Sequence, residues 1–211
     1  MISESYQTEQ EKFWSNEFGN DYVERNKGDK LVAGNTALFS KIFSRAKKIN
    51  SVLELGSNIG LNLVAIKRLL PECELSAVEI NKKAVNSLKK LDYVQKVYHQ
   101  SILEYKPDYK RDLVLCKGIL QHINPDYLSE VYQLMHNSSK KYICIAEFYN
   151  PTPAEIGYRG HKQKLFKRDF AGEMLDKYKD LFLLDYGFFY RRDNNFFFTD
   201  ITWFLLEKNG A

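Results

Sequence analysis

Cysteine is scarce. Cys73, Cys116 and Cys144 are the three in 211 residues, and no two form a C-x-x-C pair. The number is odd and the spacing wide, and Cys116 and Cys144 sit inside apolar runs. They read as buried free thiols of a reducing compartment. The four histidines, at 99, 122, 136 and 161, are equally dispersed. That leaves no metal-ligand spacing, so no metal is expected. No apolar run approaches the ~18 residues that a membrane span needs. The opening "MISESYQTEQEKFW" is polar and acidic, unlike a signal peptide. Charge of one sign is also in small excess: 31 basic against 27 acidic residues, net +4. That does not by itself argue for nucleic acid. Repeats and low-complexity tracts are missing. The expectation is a cytoplasmic protein that uses neither membrane nor nucleic acid.

What the chain has is core-forming material. Hydrophobic content is 44%, and 14 Tyr and 14 Phe leave aromatics to line a pocket. The length fits one domain with an extension. Residues 1–34 carry no strand signal and read as an N-terminal helical extension or lid, with the main domain at 35–211. "NTALFSKIFSRAKKI" has a helical period over 35–49, with Asn35 as a possible cap. Strands then alternate with helices. Strands are expected at 51–55, 74–80, 94–102, 112–118 and 141–148. Helices are expected at about 59–70 and at 81–91, 125–136 and 167–178. Two further runs, 181–191 and 201–208, read as a closing hairpin. The pattern predicts a doubly wound, mostly parallel α/β sheet with an antiparallel last strand.

In such a sheet a ligand lies beyond the carboxyl ends of the strands, near the switch point. "VLELGSNIGLN", 52–62, is a strand, a tight turn and a helix start. Gly56 and Gly60 permit the turn and a close backbone approach, with Ser57 between them. Asn58 tolerates a left-handed conformation where a glycine often stands. Glu79 ends the second strand, 23 residues after Gly56, placed to accept both ribose hydroxyls of a nucleoside. A dinucleotide's pyrophosphate wants the full glycine fingerprint and no nearby acid. Glu54 stands just before the loop, where it would repel phosphate and suit an ammonium or sulfonium group. That points to S-adenosylmethionine (SAM), with S-adenosylhomocysteine (SAH) as product.

These stretches resemble the class I, seven-strand, Rossmann-like SAM-dependent methyltransferases over about residues 35–208. "VLELGSNIG" is similar to their first motif. "AVEIN" is similar to their ribose-binding motif, which implies Glu79 and Ile80 at the nucleoside. "HQSI" resembles the loop flanking adenine, which implies Ser101 and Ile102 there, although Ser101 stands where an Asp is common. "DLVLCKGILQHI" resembles the fourth-strand motif beside the methyl group and implies Lys117 near the cofactor. A narrower resemblance, carried by "FWSNEFGNDYVERN", "HINP", "EFYNPTP", "YRGHKQKLFKRDFAGE" and "DITWFLLEK", is to methylases associated with pseudaminic acid biosynthesis. It implies a small, anionic sugar-type acceptor, with O-methylation favoured over N-methylation.

A hydroxyl acceptor needs its proton removed, and neutral histidine suits that near pH 7. His122 is the candidate base; the other reading is a helix-start histidine that only hydrogen-bonds the backbone. "YRGHKQKLFKR" (158–168) holds five Lys/Arg and one His. It is either an anion clamp, through Arg159 and Lys162 with His161 as a second base, or a solvated flap. Tyr149 and Asn150 follow the fifth strand and point toward the pocket edge. Tyr22, Arg25 and Asn26 either fold over the cofactor, with Arg25 at its carboxylate, or pack outside. The Phe196–Phe198 run is open between lid, oligomer contact and packing; a homodimer is possible. Two rival functions stand beside this one: a nucleic-acid methyltransferase, which lacks its Asn/Asp-Pro-Pro-Tyr/Phe motif here, and a non-catalytic SAM-binding protein.

Overall fold

A computed structural model describes residues 6–197 and 199–209. Its first helices are α1 (Glu9–Ser15), α2 (Glu17–Arg25) and α3 (Asp29–Phe43). The alternating part follows: β1 (Ser51–Leu55), α4 (Leu61–Leu69), β2 (Glu74–Glu79), α5 (Lys82–Leu88), β3 (Val94–His99) and β4 (Arg111–Lys117). Next come α6 (Leu128–Ser138), β5 (Ser139–Glu147) and two short strands, β6 (Ala154–Glu155) and β7 (Phe166–Lys167). The chain ends with α7 (Phe170–Lys177), β8 (Leu181–Phe189) and β9 (Ile201–Lys208).

Seven strands form one sheet in the order β3-β2-β1-β4-β5-β9-β8. β1 pairs in parallel with both β2 and β4, so the switch point lies at its carboxyl end. β9 runs antiparallel to β5, as the closing hairpin predicted. Both sheet faces are covered, which is why the central strands read as mainly apolar runs, with the buried Glu54 as the exception in β1. Alternate residues serve the two sides. Val52, Leu113 and Leu115 pack with Leu38, Phe39 and Leu63 of α3 and α4. Leu53, Leu55 and Val114 pack with Met135, Phe170 and Met174 of α6 and α7. The three cysteines are buried and free. Among the described residues, no helix is long and apolar enough to cross a membrane.

Several local expectations shift. The helix expected at 35–49 runs over Asp29–Phe43 and crosses position 35. It starts after Gly28, whose φ of 115° breaks the chain from α2, so Asn35 is a buried interior residue and not a cap. The helix expected from 167 starts at Phe170, capped by Asp169, whose side chain accepts from the Gly172 N–H. The residues before it pair instead as the β6–β7 hairpin, which the period of the sequence does not reveal.

Candidate functional site

The turn after β1 sits where the sheet reverses order. Asn58 has φ +48°, with Gly56 at +70° and Gly60 at +84° on either side. A Cβ on Gly56 would lie 2.6 Å from Ile119 Cδ1, so the loop needs glycine to pass that close to the segment after β4. Gly60 has a packing reason too: a Cβ there would lie 2.8 Å from Leu88 and Leu91.

Glu79 ties this turn to the end of β2. Its Oε2 accepts from the Asn58 N–H at 2.7 Å, and its Oε1 accepts from the Asn81 N–H at 2.7 Å. Burial pushes the carboxyl up, while the backbone N–H groups of Asn81, Asn58 and Ile80 pull it down. Each oxygen keeps a further lone pair for a ligand hydroxyl.

Beyond the strand ends lies a cavity with about 1250 Å³ of empty space, counting its open mouth. Its floor includes Gly56, Ser57, Asn58, Glu79 and Ile80. The loop after β3 adds Ser101 and Ile102, the last residue of β4 adds Lys117, and the segment after β4 adds His122. The N-terminal helices form the roof: Glu11, Trp14, Tyr22 and Asn26 face in. Arg25 does not line the cavity; its guanidinium lies 5.2 Å from the Phe18 ring centre.

The roof is anchored from several directions. Asn81 Nδ2 donates to the carbonyls of Trp14 and Ser15 and to Asn20 Oδ1, at 3.0–3.3 Å. A Cβ on Gly19 would lie 1.8 Å from the Trp14 carbonyl oxygen, so only glycine fits that joint. Gln10 Nε2 donates to the Gln163 carbonyl at 2.9 Å, joining the roof to the β6–β7 hairpin.

Three ionisable groups meet at the ends of β1, β4 and β5. Glu54 is fully buried and does not line the cavity. Its Oε1 accepts from Asn62 Nδ2 at 2.5 Å, and its Oε2 is buried without a partner among the described residues. Burial pushes this carboxyl up to about 8. Glu147 Oε1 accepts from the Ile119 and Leu120 N–H groups at 2.8 and 3.0 Å; burial raises its carboxyl to about 7. Lys117 lies near both, and burial lowers its ammonium while their charges resist.

His122 is buried and held at both nitrogens. Nδ1 lies 2.6 Å from the Lys164 carbonyl oxygen, so this nitrogen carries the proton and donates. Gln121 Oε1 accepts from the Phe148 N–H at 3.0 Å, which turns the Gln121 amide group toward His122 Nε2 at 3.3 Å. His122 Nε2 is therefore a lone-pair acceptor. Burial lowers the imidazole to about 4, so the ring is neutral at pH 7.

The residues expected around an acceptor are not brought to the cavity wall. Tyr149 is 40% exposed, 5.9 Å ring to ring from Phe204. Asn150 Nδ2 donates to the Thr152 carbonyl at 2.6 Å. Arg159 and Lys162 are exposed, and His161 packs its ring on Phe13 and Phe18 at 4.9 and 5.5 Å. From that segment it is Tyr158 that reaches inward, 5.0 Å from the His122 ring. Phe196 and Phe197 are exposed; Phe198 lies outside the described residues.

Several wall residues were missed in the sequence: Gln10, Glu11, Trp14 and Asn62. For Glu11 a signal existed. Thr8-x-x-Glu11 is a capping box, and it is formed at the start of α1. The cavity also holds polar atoms that nothing among the described residues satisfies: Asn62 Oδ1, Gln10 Oε1 and Trp14 Nε1 are buried without partners there. Such atoms are what a ligand would pair.

No protein-family model and no curated protein sequence matches the chain. Solved structures do match it in fold. One is the 1,6-didemethyltoxoflavin-N1-methyltransferase of Burkholderia thailandensis, with its substrate and SAH bound: TM-score 0.69, 14% identity, covering 94% of this chain and 86% of that one. Another is the magnesium protoporphyrin IX methyltransferase of Synechocystis PCC 6803 with SAH: TM-score 0.67, 14% identity, covering 94% and 98%. A third is a SAM-dependent methyltransferase of Clostridium acetobutylicum: TM-score 0.63, 14% identity, covering 92% and 98%. The chain has the fold of the class I SAM-dependent methyltransferases.

Proposed function

We propose that this chain is a SAM-dependent methyltransferase acting on a small metabolite. The observation that carries the reading is Glu79: a carboxylate at the end of β2, held by the Asn58 and Asn81 N–H groups, with lone pairs left for two ribose hydroxyls. The cavity chemistry fits the same cofactor. Asn62 Oδ1 is a free acceptor for an ammonium group, and Lys117 is the one Lys or Arg among the described lining residues. A pyrophosphate would find little there to hold it. Bound SAM supplies a methyl group already activated on a sulfonium, so the protein's task is alignment and exclusion of water.

The roof of α1 and α2 does the excluding. His122 is our candidate base. The Lys164 carbonyl fixes its tautomer and leaves Nε2 as proton acceptor once Gln121 yields. Its low basicity means that it takes the hydroxyl proton as the oxygen forms its new bond, not beforehand. Ile80, Ser101 and Ile102 are assigned to the nucleoside, and Gly56, Ser57 and Asn58 to the amino-acid end. For the acceptor we retain a small anionic sugar-type metabolite with O-methylation, supported by the sequence resemblance and by the basic 158–168 segment next to the roof. Arg159 and Lys162 serve that reading only if the β6–β7 hairpin turns them inward on binding.

Calorimetry with SAH on the wild type and on Glu79→Ala tests the cofactor site. Micromolar binding that weakens by about 2 kcal/mol or more in the variant is the expected result. Absence of binding to the wild type, or equal binding by both, would refute it.

A further inference from the structure

We propose that Glu11, on the lid helix α1, determines specificity for the cofactor's base: its carboxylate accepts the exocyclic amino group of adenine. The inference rests on the SAM reading above. Sheet order sets the direction of the cofactor. With the ribose at Glu79 on β2, the reactive end lies toward the loops after β1 and β4, where His122 stands. The base then lies on the other side, toward the loop after β3. There the cavity wall is Ile80, Ile102 and Leu103, apolar faces suited to a flat ring. The polar edge at that end is formed by Ser101 and Glu11.

A hydrogen-bond ledger separates the two. The Ser101 hydroxyl spends its one hydrogen on Glu11 Oε1, and its oxygen accepts from the Leu103 N–H at 3.0 Å. Glu11 Oε2 accepts from the Thr8 N–H at 2.8 Å, closing the capping box. Capping thus accounts for Oε2 alone. It gives no reason for Oε1 to reach a hydroxyl 90 residues away in sequence. Each carboxylate oxygen offers two lone pairs, so Oε1 retains one on the cavity side. An ionised carboxylate is acceptor-only. It favours a ligand edge that donates, such as the 6-amino group of adenine, and opposes one that accepts, such as the 6-oxo group of hypoxanthine. Because Glu11 sits on the roof, the group that reads the base is also the one that closes over it.

The test compares SAH with S-inosyl-L-homocysteine, its 6-oxo counterpart, on wild type, Glu11→Gln and Ser101→Ala by calorimetry. Glutamine preserves a capping box, so α1 stays capped, but its amide nitrogen now meets the base edge. The wild type should prefer SAH by about 10-fold or more, the scale of one charged hydrogen bond. Glu11→Gln should lose that preference, mainly through weaker SAH binding. Ser101→Ala, which removes the hydroxyl that donates to Glu11 Oε1, should weaken both ligands and still prefer SAH. Equal weakening of both ligands in Glu11→Gln, with the preference intact, overturns the inference, since a merely loosened lid would act that way. So does a wild type that binds both alike. SAH binding that is abolished by Glu79→Ala but blind to Glu11 sinks this inference alone; no SAH binding to the wild type sinks the cofactor reading with it.

Discussion

Glu54→Gln should change how stability depends on pH. Glu54 is fully buried, one oxygen on Asn62 and the other without a partner among the described residues, and its carboxyl is pushed up to about 8 from an ordinary 4.5. The folded chain therefore holds this proton more tightly than the unfolded chain does. Stability from this group is complete below pH 4.5 and is lost as pH rises through 8. Each pH unit in that window is worth about 1.4 kcal/mol, so the whole loss is at most about 5 kcal/mol. At about 2–4 °C per kcal/mol for a chain of this size, the melting temperature falls by about 10–20 °C from this group alone. Glutamine keeps the shape and the acceptor for Asn62 but carries no charge. Glu147 and Glu79 are raised in the same direction and stay in both proteins, so the difference reports Glu54 together with the change its charge makes at the neighbouring Lys117. Thermal unfolding of the ligand-free protein from pH 5 to 9 is the assay. The two curves should converge near pH 5 and separate with the variant more stable at pH 9. Parallel curves would refute the account of Glu54 as a neutral buried acid.

Two further outcomes follow from the same geometry. Gly60→Ala forces a side chain to φ +84° and against Leu88 and Leu91, and should cost about 2–4 kcal/mol in urea unfolding; a loss below 0.5 kcal/mol would count against this turn. His122 should stay neutral, with the proton on Nδ1, from pH 5 to 8 in nitrogen-resolved NMR; a titration near 6.5 would mean that the site is wet.

The sheet was legible because its strands are buried on both faces. Leu113–Cys116 reads as a strand from its apolar run, Val52–Leu55 does so although Glu54 interrupts it, and the mostly parallel pairing follows from alternation with helices. The turn was legible for a local reason: a left-handed φ at Asn58 needs one of few residue types. Glu79 was legible from its distance to that turn. Glu54 was only half legible. Its place in the sequence put it next to a cofactor, but Asn62, in the first turn of α4, bonds it and lines the cavity in its place. A helical residue facing back over the strand it follows leaves no mark on hydrophobic period.

The basic segment gives the opposite lesson. Charge density in 158–168 was easy to see, and its direction was not. Arg159 and Lys162 face outward, while Tyr158 and the Lys164 carbonyl face the site. What turns the segment is the contact of His161 with Phe13 and of Gln163 with Gln10, pairs about 150 residues apart in sequence. The roof itself is made of two short helices, and a 7-residue helix such as α1 is marginal without tertiary support. Its fold therefore depends on Asn81, the N-cap of α5 just after β2, and on the β6–β7 hairpin. The cavity's polar contacts with the roof run through the same residues that hold it down. Cofactor recognition and roof stability are consequently one set of interactions, and a substitution at Asn81 should weaken both together even though its side chain lies beneath the roof.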